Sequence, residues 1–210
     1  MVSYLALVGG LTVTYFLVQV GLFIYQSFVY KSASVKKLLD NKQWAVVTGA
    51  TAGIGEGFTY ELAKRGVNVL AVGRSEQKLK NVAKEVTDKY KGVEVRPLII
   101  DFANEKPEEY SKKLSDAISS LQVSVLVNNV GVNNTGNLPF LFLDQDNSDF
   151  KALIDVNINA TLYVTKAVLP KLVQNPSGGL VLNLSSYTAK YPTPMNAVYS
   201  ATKAFVDVWS

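Results

Sequence analysis

The sequence contains no cysteine and no histidine. Without cysteine the chain can form no disulfide and offers no thiolate nucleophile, and without histidine it can build no Ser-His-Asp triad. Zinc sites depend on the same two residue types, so we expect no bound metal. Any acid–base chemistry must therefore come from tyrosine, lysine, aspartate, glutamate or a cofactor.

The excess of positive charge is small, because 21 Lys and Arg residues stand against 17 Asp and Glu residues, for a net charge of +4. The basic residues are interspersed with acidic ones and form no stripe with interleaved aromatic side chains. Nucleic acid is therefore not expected as a partner.

The first 30 residues lack any charged side chain. As a helix they would be about 40 Å long, which exceeds the ~30 Å hydrocarbon core of a bilayer. Tyr4 near one end, and Tyr25 and Tyr30 near the other, suit the two membrane interfaces. A cleaved signal peptide would need a basic start and a shorter apolar core, and a helix lying on the membrane would need a charged face. We therefore predict a single membrane-spanning anchor over residues 1–30.

A basic linker follows this segment, with lysines at positions 31, 36, 37 and 42. Positive charge beside a span favours the cytosolic side, so we expect the domain that follows to face the cytosol. The predicted organisation is an anchor over 1–30, a linker over 31–43 and the main domain over 44–210.

From Trp44 onward, short apolar segments alternate with amphipathic ones. The predicted strands are WAVVTGA, VNVLAVG, VEVRPLIID, VSVLVNN and GLVLNLSS. The predicted helices are GEGFTYELAKRG, EQKLKNVAKEVTDKY, PEEYSKKLSDAISSL and FKALIDVNINATLYVTKAVLPKLV. This alternation predicts an α/β fold, a Rossmann-like doubly wound parallel sheet with helices on both faces.

The first predicted strand leads directly into the glycine-rich segment TGATAGIG, residues 48–55. Gly49, Gly53 and Gly55 lie where the strand turns into a helix. Missing side chains there let backbone N–H groups approach a pyrophosphate at the positive end of the helix. The alternative is a tight turn that serves only close helix packing.

The end of the second strand bears on the choice of cofactor. An NAD site usually has an acidic residue there, whereas this chain has Gly73 and Arg74. A guanidinium can pair with a 2′-phosphate, so this position favours NADP(H). The alternative is that Arg74 is an ordinary surface arginine.

Two Tyr-x-x-x-Lys pairs occur, at 60–64 and at 199–203, and in a helix either would place both side chains on one face. Thirteen residues before Tyr199 stands Ser186, at the end of the fifth predicted strand. The equivalent position for the first pair is Val47, inside a strand. Because ligands of open α/β sheets bind beyond the carboxyl ends of the strands, the second pair is the candidate active pair.

The segment before Tyr199 predicts how this residue is presented. Pro194 suits the first position of a helix with Thr193 as its N-cap. Tyr199 then falls early in the helix, with Lys203 one turn later. Ser185 competes with Ser186, but strand alternation turns it to the opposite face.

With these motifs, and with NNVG at 128–131 after the fourth strand, the chain resembles the short-chain dehydrogenases/reductases. The resemblance implies that Asp101, which ends the third strand, contacts adenine. It also implies that Asn157 in DVNIN completes a catalytic tetrad by orienting a water beside the lysine. Asn159 is a nearby rival, and a polar core or cap residue is the other interpretation of Asn157. Val130 departs from the alanine that the family usually has.

The resemblance further implies that hydride arrives from the nicotinamide while Tyr199 donates its phenolic proton to a substrate carbonyl. Ser186 would hydrogen-bond the same oxygen, and Lys203 would hold the nicotinamide ribose and favour the ionised form of the phenol. The expected catalytic residues are Ser186, Tyr199, Lys203 and Asn157. The expected cofactor contacts are Gly49, Thr51, Gly53, Ile54, Gly55, Arg74, Asp101, Asn128, Gly131, Tyr199 and Lys203.

An apolar N-terminal segment joined to such a core is similar to the membrane-anchored very-long-chain 3-oxoacyl-CoA reductases and the 17-beta-hydroxysteroid dehydrogenases of types 12 and 3. This implies an endoplasmic reticulum enzyme that reduces 3-oxoacyl-CoA in fatty acid elongation or, alternatively, a steroid ketone. It also implies a fatty acid elongation complex as a partner, and a homodimer through the helices that carry Asn157 and Tyr199.

Members of the family continue well beyond the helix that carries Tyr199. We therefore expect these 210 residues to lack the C-terminal part of the fold and its substrate-binding loop, and to have little or no activity by themselves. A catalytically silent membrane-bound form is the remaining alternative.

Overall fold

The computed structural model describes residues 2–29, 38–39, 43–133, 142–191 and 193–210. The chain divides into two compact units, residues 1–36 and 37–210. In the first unit, α1 (Val2–Ile24) is followed by a π-helical turn, Tyr25–Val29. Tyr30 and the linker lysines at 31, 36, 37 and 42 lie outside the described residues.

The helix of the first unit is a candidate membrane span. The apolar stretch Ser3–Phe28 is 26 residues long, has a mean hydropathy of 1.9 and buries none of its surface within the protein. At 1.5 Å per residue its length exceeds the thickness of a hydrocarbon core. Length and composition therefore suit a membrane anchor.

The second unit is built on a five-stranded sheet with the order β3-β2-β1-β4-β5, in which all neighbours are parallel. The strands are β1 (Trp44–Thr48), β2 (Asn68–Gly73), β3 (Val95–Ile99), β4 (Val123–Asn128) and β5 (Leu180–Asn183). The predicted Rossmann-like doubly wound fold is confirmed.

Helices connect the strands and cover the sheet. They are α2 (Gly53–Lys64), α3 (Glu76–Lys89), α4 (Pro107–Ile118), α5 (Asn147–Ile154), α6 (Ala160–Gln174) and α7 (Ala197–Trp209). The predicted helix around DVNIN is two helices, α5 and α6, joined by a π-helical turn over Asp155–Asn159. Short 3-10 turns lie at Phe142–Asp144 and Tyr187–Ala189.

Two hydrophobic cores lie on opposite faces of the sheet, because side chains alternate along each strand. Ala45 and Val47 of β1 belong to the core that contains residues of α2 and α3. Trp44 and Val46 belong to the core that contains residues of α4 and α6. Burying one valine or leucine side chain of these cores contributes roughly 1.5–3 kcal/mol, so both faces stabilise the sheet.

The strand order reverses direction at β1. From β1 the chain moves outward to β2 and β3, and then returns to place β4 on the other side of β1. The carboxyl ends of β1 and β4 therefore flank a crevice, which is where open α/β sheets bind ligands.

Candidate active site

The glycine-rich turn after β1 depends on backbone conformations and close approaches that side chains would prevent. Gly49 and Gly53 have φ values of 67° and 61°, in the left-handed region. A Cβ on Gly55 would lie 2.3 Å from the carbonyl oxygen of Gly49. The N-cap of α2, Ala52, provides no side-chain hydrogen bond to the first turn, so the helix N-terminus keeps donors for an anion.

A hydrogen-bonded lock joins the ends of β1 and β4. Thr48 Oγ1 donates to the carbonyl oxygen of Val127 at 3.2 Å and accepts from the backbone N–H groups of Asn129 and Val130, both at 3.0 Å. Asn129 Nδ2 donates to the carbonyl oxygens of Thr48 and Gly49, at 2.9 and 3.2 Å. The hydroxyl uses its one donor and two acceptor sites, so the glycine turn is held rigidly against β4.

A cleft of about 370 Å³ opens over this turn. It is lined by Gly49, Thr51, Ala52, Ile54, Gly73, Arg74, Ile100, Asp101, Phe102, Ala103, Asn129, Val130, Gly131, Val132 and Val156. Six of the expected cofactor contacts are among these residues: Gly49, Thr51, Ile54, Arg74, Asp101 and Gly131. Gly53 and Gly55 shape the turn itself.

Asn128, another expected cofactor contact, lies outside the cleft. It is buried at the end of β4, where its Nδ2 donates to Thr165 Oγ1 and Asn183 Oδ1, both at 2.8 Å. The next residue, Asn129, lines the cleft instead. Successive side chains on a strand point to opposite faces, which explains why only one of the two asparagines reaches it.

Arg74 and Asp101 are the charged side chains that line the cleft. The Asp101 carboxylate accepts from the backbone N–H of Ala103 at 3.1 Å and from Asn104 Nδ2 at 2.8 Å. Arg74 is exposed, and within the described part of the chain its guanidinium makes no hydrogen bond or ion pair. A positive group is therefore free to meet a phosphate at the end of β2.

The segment after β5 positions two serines differently. Ser186 Oγ accepts from the backbone N–H and the Oγ1 of Thr188, at 3.3 and 3.0 Å, and so caps the 3-10 turn. Ser185 Oγ donates to the carbonyl oxygen of Lys203 at 3.0 Å and ties α7 to the end of the strand.

The start of α7 differs from the prediction. The expected N-cap, Thr193, and first helical residue, Pro194, belong to a preceding turn, and the helix begins at Ala197 with Asn196 as its N-cap. Met195 has a φ of 68°, a left-handed conformation that a right-handed helix cannot contain, so the helix cannot start before it.

Tyr199 is nevertheless the third residue of α7, as its expected early position requires. Its phenolic oxygen makes no hydrogen bond within the described residues. The hydroxyl is therefore available to a substrate.

Lys203 lies one turn after Tyr199 and is 5% exposed. Its Nζ donates to the carbonyl oxygen of Leu184 at 2.8 Å and lies 6.0 Å from the centroid of the Tyr199 ring. Burial penalises the charged amine and lowers the pKa of Lys203. A Cβ on Gly131 would lie 3.2 Å from this Nζ. Because Gly131 also lines the cleft, the lysine and the cleft meet at this glycine.

Asn157 lies beside the same glycine, on the π-helical turn. A Cβ on Gly131 would be 3.4 Å from its Oδ1. Asn157 is 1% exposed. Its Oδ1 accepts from the backbone N–H of Val132 at 2.8 Å. Its Nδ2 donates to the carbonyl oxygen of Val132 at 2.9 Å and to Thr202 Oγ1 at 3.0 Å. The rival Asn159 donates to Asp155 on its own turn. Asn157 is thus the asparagine that contacts the lysine-bearing helix.

Comparison with known proteins identifies the family. The family model for short chain dehydrogenases matches residues 43–210. The chain belongs to the short-chain dehydrogenase family. The resemblance found in the sequence motifs is confirmed.

Relatives within this family cover most of the chain. It is 43% identical over 188 residues to a very-long-chain 3-oxoacyl-CoA reductase of Coprinopsis cinerea, an alignment that covers 89% of this chain and 54% of that protein. It is 37% identical over 212 residues to the Rattus norvegicus protein of the same name, covering 99% of this chain and 66% of the relative. The chain therefore spans between about half and two thirds of the length of these curated relatives.

A solved short-chain dehydrogenase from Sphingobium yanoikuyae in complex with NADPH has the same fold. The two structures match with a TM-score of 0.70 and 28% identity, over 80% of this chain and 62% of the other.

In this short-chain dehydrogenase the other Tyr-x-x-x-Lys pair, at 60–64, lies on a different helix from Tyr199 and Lys203. Tyr60 is on α2, and its hydroxyl donates to Glu85 Oε2 at 2.8 Å. This hydrogen bond, with burial and the nearby carboxylate charge, raises the pKa of Tyr60 to about 12. A phenol whose hydroxyl is hydrogen-bonded to a carboxylate on α3 is poorly suited to proton donation to a substrate.

Sequence reasoning missed three polar residues of the site: Thr48, Asn129 and Thr202. A threonine ending the first strand and a second asparagine after the fourth were visible signals for the lock between β1 and β4. Thr202 carried no such signal, because its partner Asn157 lies 45 positions away in the chain.

Proposed function

We propose that the gene product is an NADPH-dependent ketone reductase that converts a 3-oxoacyl-CoA to the 3-hydroxyacyl-CoA in very-long-chain fatty acid elongation. The observation that carries this proposal is the meeting of two features at Gly131. On one side lies the cleft of about 370 Å³ over the glycine turn, and on the other lies the buried amine of Lys203 beside Asn157.

The residues of the cleft fit NADP(H). The glycine turn would place the backbone N–H groups at the N-terminus of α2 near a pyrophosphate. A Cβ at Gly55 would clash with the carbonyl oxygen of Gly49 and with Asn129 Nδ2, and so would distort that turn. Arg74 offers an unpaired guanidinium where a 2′-phosphate would lie, and Asp101 offers a carboxylate near the adenine side. NADP(H) bound there supplies the hydride, as it does in nicotinamide enzymes generally.

The protein's own residues would handle the proton. Tyr199 donates its phenolic proton to the substrate carbonyl oxygen. Ser186 hydrogen-bonds the same oxygen: Thr188 occupies both acceptor sites of its hydroxyl, so its O–H remains free to donate. Lys203 binds the nicotinamide ribose, and its positive charge favours negative charge on the Tyr199 oxygen. Asn157 orients a water beside the amine.

The names of the relatives support a 3-oxoacyl-CoA as the substrate. A second candidate is a steroid ketone, which makes the protein a 17-beta-hydroxysteroid dehydrogenase. The apolar segment Ser3–Phe28 favours both equally, because an anchored enzyme meets membrane-dissolved substrates more often.

The domain organisation and location complete the proposal. Residues 1–30 anchor the protein once in the endoplasmic reticulum membrane, residues 31–43 form a basic linker, and residues 44–210 form the NADP-binding core on the cytosolic side. The core forms a homodimer through α5, α6 and α7 and works within a fatty acid elongation complex.

The test is an NADPH oxidation assay on the full-length gene product, with a long-chain 3-oxoacyl-CoA and a steroid ketone as separate substrates. We expect turnover of the acyl-CoA. Tyr199→Phe should abolish turnover while NADPH binding remains, and Tyr60→Phe should change neither. Turnover of the steroid alone would replace the first candidate with the second, and no turnover of either would refute both.

A further inference from the structure

Thr202 bridges two helices directly behind the candidate catalytic pair. It is 2% exposed and lies between Tyr199 and Lys203 on α7. Its Oγ1 donates to the carbonyl oxygen of Tyr199 at 2.7 Å and accepts from Asn157 Nδ2 at 3.0 Å.

A threonine hydroxyl often bonds a carbonyl one turn earlier in its own helix. Among the described residues Thr161 makes only a bond of this kind: its Oγ1 donates to the carbonyl oxygen of Asn157, on the adjoining π-helical turn, at 3.0 Å. Thr202 makes the same kind of bond but also receives a donor from the π-helical turn, 45 positions earlier in the chain. The second bond makes the hydroxyl a link between elements.

No other hydrogen-bonding group of the Asn157 amide is free to replace its bond to Thr202. Its Oδ1 and one of its N–H groups are held by the backbone of Val132, at 2.8 and 2.9 Å. An amide has two N–H donors, and the second is directed at Thr202. Without the hydroxyl, a buried N–H group would lose its partner, and the first turns of α7 would lose this hydrogen-bonded link, through Asn157, to the loop after β4.

We propose that Thr202 is a positioning residue of the reductase site. Its hydroxyl fixes the first two turns of α7 against Asn157, and thereby sets where Tyr199 and Lys203 lie relative to Gly131. The inference rests on the proposed function for its effect on turnover. Its effect on the position of Lys203 can be measured without any substrate or cofactor.

The kinetic test uses Thr202→Val, which removes the hydroxyl at nearly constant volume, and Thr202→Ser, which keeps it. Thr161→Val is the matched control: it removes a buried hydroxyl whose hydrogen bond, among the described residues, is to a carbonyl four positions earlier in the chain and does not reach α7. In the full-length gene product we expect Thr202→Val to lower kcat between about tenfold and a hundredfold, since small misplacements of reacting groups have effects of this size. KM for the ketone should stay the same, and Thr202→Ser should recover most of the rate.

The second test measures the reactivity of Lys203 toward acetic anhydride by mass spectrometry in the absence of NADPH, with exposed Lys190 as the internal reference. We expect Thr202→Val to raise the labelling of Lys203 several-fold, and Thr161→Val and Thr202→Ser to leave it unchanged. Equal labelling of Lys203 in Thr202→Val and Thr161→Val would overturn the inference, whether or not the wild-type protein turns over a ketone. Failure of the wild-type protein to bind NADPH or reduce a ketone would overturn the proposed function instead.

Discussion

Gly55 is the position where one added methyl group should most clearly damage the cofactor site. In Gly55→Ala the new Cβ would lie 2.3 Å from the carbonyl oxygen of Gly49 and 2.4 Å from Asn129 Nδ2, whereas ordinary Cβ contacts begin at 3.4 Å. Neither neighbour can move alone, because Asn129 Nδ2 donates to the carbonyl oxygens of Thr48 and Gly49. The glycine turn or α2 must therefore shift by about 1 Å.

The cost of this shift has two parts. Overpacking of this kind destabilises a folded domain by about 1–3 kcal/mol, and about 2 kcal/mol lowers the Tm of a domain this size by about 4–8 °C. The shift would also move the N–H groups of the first turn of α2 away from the position proposed for the pyrophosphate. We expect NADPH affinity to fall at least tenfold, which corresponds to about 1.4 kcal/mol.

Gly57→Ala is the matched control within α2. A Cβ there meets nothing within 4 Å. Alanine is favoured over glycine inside a helix by about 0.8–1 kcal/mol, so this variant should be slightly more stable and bind NADPH normally. Thermal unfolding followed by circular dichroism and titration of NADPH fluorescence measure the two effects. If Gly55→Ala binds NADPH as tightly as Gly57→Ala does, the glycine turn is not the pyrophosphate site.

Three further predictions test other parts of the account. Arg74→Asp should reduce the preference for NADPH over NADH at least tenfold in kcat/KM, because a charged hydrogen bond to phosphate is worth about 1.5–3 kcal/mol. Burial lowers the pKa of Lys203 in the folded protein below its usual value of 10.5. Between these two pKa values the unfolded chain binds a proton that the folded chain does not, so the free energy of unfolding of the wild type should increase as the pH rises toward 10.5. Lys203→Met should lack this increase. Deleting residues 1–30 should release the protein from membranes, and protease added outside intact microsomes should digest residues 44–210.

Each of these predictions has an outcome that contradicts it. Unchanged cofactor discrimination in Arg74→Asp makes this residue an ordinary surface arginine. Urea unfolding measures the free energy of unfolding of wild type and Lys203→Met. If the difference between them is the same at about pH 7 and about pH 10, folding does not lower the pKa of Lys203. Protection of residues 44–210 inside intact microsomes places the domain on the lumenal side.

The features that sequence predicted well are those encoded locally. The five strands, the glycine turn and the early position of Tyr199 in α7 each follow from runs of neighbouring residues. The helix start predicted from Pro194 also depended on local sequence, but it was wrong. Met195 adopts a left-handed conformation that the sequence pattern does not predict, and the helix begins at Ala197.

The features that sequence could not predict depend on contacts between distant segments. The π-helical turn places Asn157 against the backbone of Val132 and against Thr202, and neither contact follows from the DVNIN motif. Likewise, the partners that Asn128 binds on the other side of the strand, Thr165 and Asn183, come from α6 and β5, and the NNVG motif predicts neither.

The central claim is that Tyr199 protonates a ketone as hydride arrives from NADPH bound along the glycine turn. The most direct measurement is mass spectrometry of the acyl product after incubation of the full-length gene product with a long-chain 3-oxoacyl-CoA and NADPH in which both hydrogens at the nicotinamide C4 are replaced by deuterium. The account predicts one deuterium at C3 of the hydroxyacyl-CoA with wild type and none with Tyr199→Phe. Unlabelled product from the wild type, or labelled product from Tyr199→Phe at the wild-type rate, would contradict it.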